Sequence, residues 1–222
     1  MIASFLKNDA TTTVSKHLQI ELTNVQKVNP IYKNTPYGIL KWSIEQTRRI
    51  CHKNAFLYLI CCNIKPRVVV ETGVAAGASS AYILKALVNN GFGNLYSIDL
   101  PNVEYINAKK GKTHNDNLPT NAQSGFAIPQ ELRSKWVLTL GDSRLELPNL
   151  LNKVEEVDLF FHDSLHTYDA MLFEYETVWP HIKRGGVLVS DDVTWNGAFE
   201  EFVRKKGVTS QIYHDRGLVI KA

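Results

Sequence analysis

Cysteine is scarce in this 222-residue chain, which has three: Cys51, Cys61 and Cys62. An odd number, two of them adjacent in an apolar run, does not fit a secreted disulfide framework and points instead to free thiols in a reducing compartment. The opening MIASFLKNDATTT lacks the basic segment, apolar stretch and small-residue cleavage site of an export signal. The most apolar run, Ala55 to Cys62, is less than half of the roughly 20 residues that span a bilayer. These absences predict a cytoplasmic protein with no membrane partner. An excess of one charge is missing too: 25 Lys and Arg face 22 Asp and Glu, for a formal charge of +3. The basic residues are scattered, so no stripe for nucleic acid stands out. There is no internal repeat, no low-complexity block and no Walker-type Gly-Lys-Ser/Thr, which disfavours a nucleoside triphosphate ligand.

What is present is the material of one well-buried domain, 44% hydrophobic and 21% charged. Residues 1–64 read as an N-terminal arm and helical cap, with apolar positions at helical spacing from Ile39 to Ile64 and a break predicted at His52-Lys53-Asn54. Residues 65–222 read as alternating strand and helix. Val68-Val69-Val70 has the β-branched, wholly apolar character of a strand buried on both faces. Further strands are predicted at Leu95 to Ile98, Trp136 to Leu140, Val157 to Phe161 and Val187 to Val189, with helices at Ser79 to Asn89, Leu145 to Leu151 and Tyr168 to Ile182 between them. A short helix is predicted at Pro129 to Ser134, and a helix near Ala198 to Lys205 precedes two strand-like pieces, Ser210 to Tyr213 and Leu218 to Ile220. The fold class this implies is α/β: a doubly wound, Rossmann-like seven-stranded sheet, mostly parallel, with a C-terminal antiparallel hairpin and an N-terminal helical cap. Residues 102–128 are too long for an ordinary connection and read as a lid or a disordered loop.

Open α/β sheets bind ligands beyond the carboxyl ends of their strands, and here those ends are acidic. The first strand runs into Glu71-Thr72-Gly73-Val74-Ala75-Ala76-Gly77-Ala78-Ser79, whose glycines permit a tight turn and close approach of a ligand to a helix start. A purely structural turn uses glycine equally well. Asp99 follows the second strand, 22 residues after Gly77, about where nucleotide-binding folds place a carboxylate on ribose hydroxyls; a turn residue before Pro101 is the alternative. The loop departs from Gly-x-Gly-x-x-Gly at Ala75 and Ala76, which favours a single nucleoside over a dinucleotide.

On these residues the chain resembles class I S-adenosylmethionine-dependent methyltransferases. The likeness rests on Glu71-x-Gly73, on Asp99 and on Gly141-Asp142-Ser143. It is closer still to a subgroup containing macrolide-sugar O-methyltransferases and cephalosporin-hydroxylase-like proteins, through residues 70–79, Ile128-Pro129-Gln130-Glu131-Leu132-Arg133, Asp158 to His166 and Lys183-Arg184-Gly185-Gly186-Val187. The resemblance covers about 67–192. It implies S-adenosyl-L-methionine as cofactor, with Glu71, Gly73, Ala75, Gly77 and Ser79 around its methionine part, Asp99 on the ribose, and Asp142 and Ser143 beside the adenine.

Asp163, Asp191 and Asp192 close the fourth and fifth strands, neighbours in such a sheet, so three carboxylates are expected to converge. Unpaired, they would raise one another's pKa. A Mg²⁺ ion with oxygen ligands would neutralise them and hold a substrate hydroxyl, an arrangement resembling metal-dependent O-methyltransferases. Capping of the next helix by Asp191 and Asp192 is the competing reading. His166, three residues beyond Asp163, is the general base that the resemblance implies, its ordinary pKa suiting proton abstraction at neutral pH. His162 is expected to be packed or turned away, and Tyr168, Trp179 and Trp195 to be core more readily than an acceptor pocket. The expected function is O-methylation of a small hydroxylated molecule or sugar, with the oligomeric state left open. The alternatives are a metal-independent N- or O-methyltransferase and a non-catalytic nucleoside-binding accessory protein.

Overall fold

A computed structural model describes residues 44–101, 118, 122–154 and 156–222. The N-terminal arm before residue 44 and most of the predicted lid lie outside the described residues. The chain divides into two compact units between Phe56 and Leu57, and the site described below lies in the second.

Helix α1 runs without interruption over Ile44–Ile64. The break predicted at His52-Lys53-Asn54 is not there: none of the three is Gly or Pro, and their helix propensities cost only tenths of a kcal/mol each, about 0.7 at most. The following elements are β1 (Val68–Thr72), α2 (Ala78–Asn90), β2 (Asn94–Asp99), a 3-10 turn (Gln130–Lys135), β3 (Trp136–Leu140), α3 (Ser143–Val154), β4 (Val157–His162), α4 (Tyr168–Val178), β5 (Ile182–Ser190), α5 (Ala198–Lys206), β6 (Ser210–Tyr213) and β7 (Arg216–Ile220). The predicted third long helix stops at Val178, where a 3-10 turn over Trp179–His181 carrying Pro180 takes over. Strand β5 starts five residues before the apolar run Val187 to Val189, so Gly185 and Gly186 lie within it.

The seven strands form one sheet in the order β3-β2-β1-β4-β5-β7-β6. β1 pairs in parallel with β2 and β4, β2 with β3, and β4 with β5, while β7 runs antiparallel to both β5 and β6. This is the doubly wound, Rossmann-like sheet with an antiparallel C-terminal hairpin. The strand order reverses between β1 and β4, so the loops leaving those two strands diverge and open a crevice at their carboxyl ends. At the opposite end Asp158 fixes their register. Its Oδ2 accepts the Arg67 and Val68 amides at 2.8 and 2.7 Å, and Lys183 pairs with its other oxygen.

All six residues of β4 are buried, and so are four of five in β1, as expected of central parallel strands covered on both faces. On one face α3, α4 and α5 pack Leu147, Leu151, Met171, Tyr175, Phe199 and Phe202 onto Val70, Phe160 and Leu188. Cys61 is buried and unbridged; burial, reinforced by the neighbouring Cys62 and Glu71, pushes its thiol pKa far up, consistent with an inert packed side chain. No described helix is long and apolar enough to cross a membrane. Phe202 is fully buried, tilted against Tyr175 and edge-on to Trp179, with ring centroids 5.3 and 5.2 Å away. Phe202→Ala is expected to lower stability by about 3–5 kcal/mol, read from the midpoint of a urea unfolding curve.

Candidate active site

The loop from β1 into α2 is held by contacts from three directions. Gly73 has φ 84° and donates its amide to Ile98 O at 2.9 Å. A Cβ here would lie 2.0 Å from the carbonyl oxygen of Asp163, so only glycine lets the ends of β1 and β4 approach so closely. Gly77, at φ 93°, precedes α2, and a Cβ on it would strike Ile128 Cγ1 at 2.5 Å. Both glycines that sequence reasoning assigned to ligand approach are therefore also demanded by chain against chain. Between them Ala75 holds a left-handed φ of 47°, a conformation that costs a non-glycine residue about 1–2 kcal/mol. It persists because its amide donates to Asp99 Oδ2 at 3.1 Å while its carbonyl accepts from Gly125 at 2.7 Å.

Glu71 is fully enclosed beneath this loop. Oε1 accepts from Ser79 Oγ at 2.7 Å, and Oε2 from Ser80 and Ser97 at 2.6 and 2.7 Å. Burial raises its pKa against the opposing effect of the three hydroxyls. Its role in the fold is to tie the start of α2 to β1 and β2. Asp99, at the end of β2, is 9% exposed. Burial raises its pKa too, opposed by Ser124 and by the amides of Ala75, Val74 and Leu100. Asp142 Oδ1 accepts the Arg144 amide at 2.9 Å, capping the first turn of α3. Ser143 directs its hydroxyl to the buried Glu174.

On the other side of the crevice, the Asp163 amide donates to Thr72 O at 2.8 Å. His166 Nε2 faces two carboxylates, Asp163 Oδ1 at 3.8 Å and Asp192 Oδ2 at 3.9 Å. Burial, with Asp191 adding to it and Arg216 opposing, raises the Asp163 pKa above its ordinary value. Asp191 is buried and faces the guanidinium of Arg216, with Nε–Oδ1 at 3.2 Å and Nη2–Oδ2 at 3.4 Å. Among the described residues, the acids that could share one cation are Asp191, Asp192 and Asp215, with oxygens within 4.8 Å of one another. Asp163 instead joins the site through His166. Asp215 and Arg216 were missed in the sequence because they lie 23–25 residues beyond Asp191 and Asp192. Only the antiparallel register of β7 on β5, which sets Gly217 beside Ser190, brings them here.

Beneath these groups lies a buried pair of which sequence reasoning anticipated one half. His162 is packed, as expected, with no exposed surface, and its Nδ1 lies 2.7 Å from Glu174 Oε2. Glu174 also accepts from Thr72 Oγ1 at 2.5 Å and Ser164 Oγ at 2.8 Å. Burial disfavours its charged form, but the charge of His162 and the hydrogen bonds from His162, Ser143 and Thr72 outweigh it and lower the pKa below its ordinary value. Glu174 carried no signal of its own, being one acid within the helix predicted at Tyr168 to Ile182. The His162 ring meets the His166 ring edge-on at 5.2 Å. Of the three aromatics considered, Trp179 packs on Phe202 and Tyr168 bonds Glu201, whereas Trp195 is 68% exposed and tilted over His166 at 5.4 Å.

Residues 70–193 match a family described as a methyltransferase domain. No curated protein sequence matches the chain. In fold, the chain is similar to apo CalS11, a TDP-rhamnose 3'-O-methyltransferase in calicheamicin biosynthesis (16% identity, 90% of this chain and 94% of that chain, TM-score 0.55). It is similar to SAH-bound Podospora anserina methyltransferase PaMTH1 (13% identity, 97% of each chain, TM-score 0.58). It is also similar to the O-methyltransferase NovP (16% identity, 78% of this chain and 80% of that chain, TM-score 0.56).

Gly73→Ala combines a left-handed backbone, about 1–2 kcal/mol, with a clash against backbone that cannot rotate away, another 1–3 kcal/mol. The variant is expected to melt well below the wild type in a thermal scan, whereas Gly185→Ala, which meets open space, is expected to lose only the strain contribution.

Proposed function

Because the chain belongs to the methyltransferase-domain family matched by residues 70–193, we propose that it transfers the methyl group of S-adenosyl-L-methionine to a hydroxyl oxygen of a small molecule or sugar. The observation that carries the oxygen-acceptor reading is His166 Nε2, set within 4 Å of the carboxylates of Asp163 and Asp192 at the crevice between β1 and β4. The carboxylate set on the other side fits a ribonucleoside. Asp99, with one oxygen on the Ala75 amide, would accept the ribose hydroxyls, and Gly73 to Ser79 would hold the methionine part. Asp142 and Ser143, after β3, would flank the adenine. Bound there, the cofactor supplies an already activated methyl group.

The protein's contribution is then position and proton management. His166 takes the proton of the acceptor hydroxyl at Nε2, and the imidazolium that results is stabilised by the two facing carboxylates. The buried Glu174–His162 pair supports the strand end from which Asp163 and His166 project. The fold likeness to CalS11 and NovP supports a sugar or other small hydroxylated acceptor. Carboxylate oxygens from Asp191, Asp192 and Asp215 suit a hard divalent cation such as Mg²⁺, which would supply further polarisation of the hydroxyl, with Asp163 facing His166 beside them. A metal-independent reaction is favoured by a separate observation: Arg216 already places a positive charge against Asp191.

Calorimetric titration with S-adenosylhomocysteine tests the cofactor. The wild type is expected to bind and Asp99→Ala to bind at least tenfold more weakly; no wild-type binding would sink the reading. With nucleotide sugars and simple glycosides as acceptors, His166→Ala is expected to lose about 10²–10⁴ in kcat while keeping S-adenosylhomocysteine affinity within twofold. Chelation by EDTA separates the two metal readings. Turnover that survives both EDTA and Asp192→Ala establishes the metal-independent route, and cofactor binding with no transfer to any acceptor favours an accessory role.

A further inference from the structure

The run Ile128-Pro129-Gln130-Glu131-Leu132-Arg133 is not absorbed by the function above, yet its neighbours lie against the cofactor loop. Residues 124–128 turn across that loop and bond to it twice: Gly125 N–H to Ala75 O at 2.7 Å and Ala127 N–H to Ala76 O at 3.0 Å. Ile128 is 3% exposed and fills the space over Gly77. Ala75 in turn donates its own amide to Asp99 Oδ2 at 3.1 Å. The turn thus bonds the methionine-side loop directly and reaches the ribose-side acid through Ala75.

Two side chains hold the turn in place. Arg133 Nη2 donates to Gly125 O at 2.8 Å and its Nε to Ile128 O at 3.1 Å, so one planar guanidinium fork spans both ends. Trp136 packs under the turn so tightly that a Cβ on Gly125, at φ 72°, would fall 2.2 Å from its ring. Arg133 lies 5.5 Å from the Trp136 ring centroid. The indole N–H then donates to Ser97 Oγ at 2.9 Å, and Ser97 donates to Glu71. The chain of contacts runs from Arg133 and Trp136 through the turn to Ala75, whose left-handed backbone is strained and persists only while its surroundings over-determine it.

We propose that Arg133 is a positioning residue for cofactor binding: with Trp136 as its base, it latches the 124–128 turn onto the Ala75–Gly77 loop and so fixes that loop in its ligand-competent form. The inference rests on the S-adenosylmethionine reading for its ligand, but the latch itself is a property of the protein alone. Lysine cannot replace the fork, because an ammonium is a single point donor and does not span two carbonyls in fixed geometry.

Two measurements on the full chain test it. In hydrogen exchange without ligand, Arg133→Ala and Arg133→Lys are each expected to speed exchange of the Ala75, Gly125 and Ala127 amides at least tenfold, leaving the amides of β4 and α4 unchanged. In calorimetry with S-adenosylhomocysteine, both variants are expected to bind at least tenfold more weakly, and guanidinium ion at tens of millimolar is expected to restore affinity to Arg133→Ala but not to Asp99→Ala. Should Arg133→Ala fail to fold, Arg133→Lys and Trp136→Phe, which stays aromatic but loses the indole N–H and the ring edge packed under Gly125, carry the same two criteria. Unchanged exchange, or exchange that rises while affinity stays within twofold of wild type, overturns the proposal. If the wild type itself binds no S-adenosylhomocysteine while exchange responds as expected, the cofactor reading fails and the latch stands without that ligand.

Discussion

Thr72 O accepts the Asp163 amide at 2.8 Å, and one residue later Gly73 leaves no room for a Cβ against the Asp163 carbonyl. This close seam between the ends of β1 and β4 is where the sheet changes direction, and both halves of the candidate site hang from it. On one side the chain turns away into the loop that meets Asp99 and the start of α2. On the other it continues through Asp163 to His166. A seam this tight leaves the two loops little freedom to shift independently, so a ligand entering the crevice meets groups already in place. The seam is made by backbone, which explains why glycine is needed there and why no particular side chain is.

Around that seam the protein keeps several acids out of water, and each is compensated differently. Glu71 is met by three serine hydroxyls, Glu174 by His162 and hydroxyls, and Asp191 by Arg216. The differences have consequences. Hydroxyls alone do not overcome burial at Glu71, whose pKa rises, whereas the positive charge near Glu174 does and lowers it. Asp163 has neither a close hydroxyl nor a guanidinium to itself; it keeps 30% of its side chain exposed toward the crevice, where His166 is its near neighbour. The acids that face His166, Asp163 and Asp192, are thus set apart from the compensated acids, which act as struts.

Much of the scaffold was legible because its signals are local. The apolar β-branched triplet at Val68 and the alternation of strand and helix follow from short-range sterics and burial, and the observed sheet has the strand types they predict. Element ends were less legible. The α1 break was expected from three polar residues that a helix tolerates, and the start of β5 was hidden by Gly185 and Gly186, which read as a turn but lie within the strand, Gly185 with a left-handed φ of 76°.

By itself the sequence determined which residues stand at the carboxyl ends of the strands, because hydrophobic periodicity sets where each strand stops: Glu71, Asp99, Asp142, Asp163, Asp191 and Asp192 all fall there. The tertiary structure decided which of them face the crevice. Glu71 is turned inward to serines, and Asp191 meets an arginine 25 residues away. That selection depends on strand register, on helices laid across the sheet and on the close approach of distant backbones. Partnership of this kind arises from burial and geometry between segments far apart in the chain, and no local pattern of residue types encodes it.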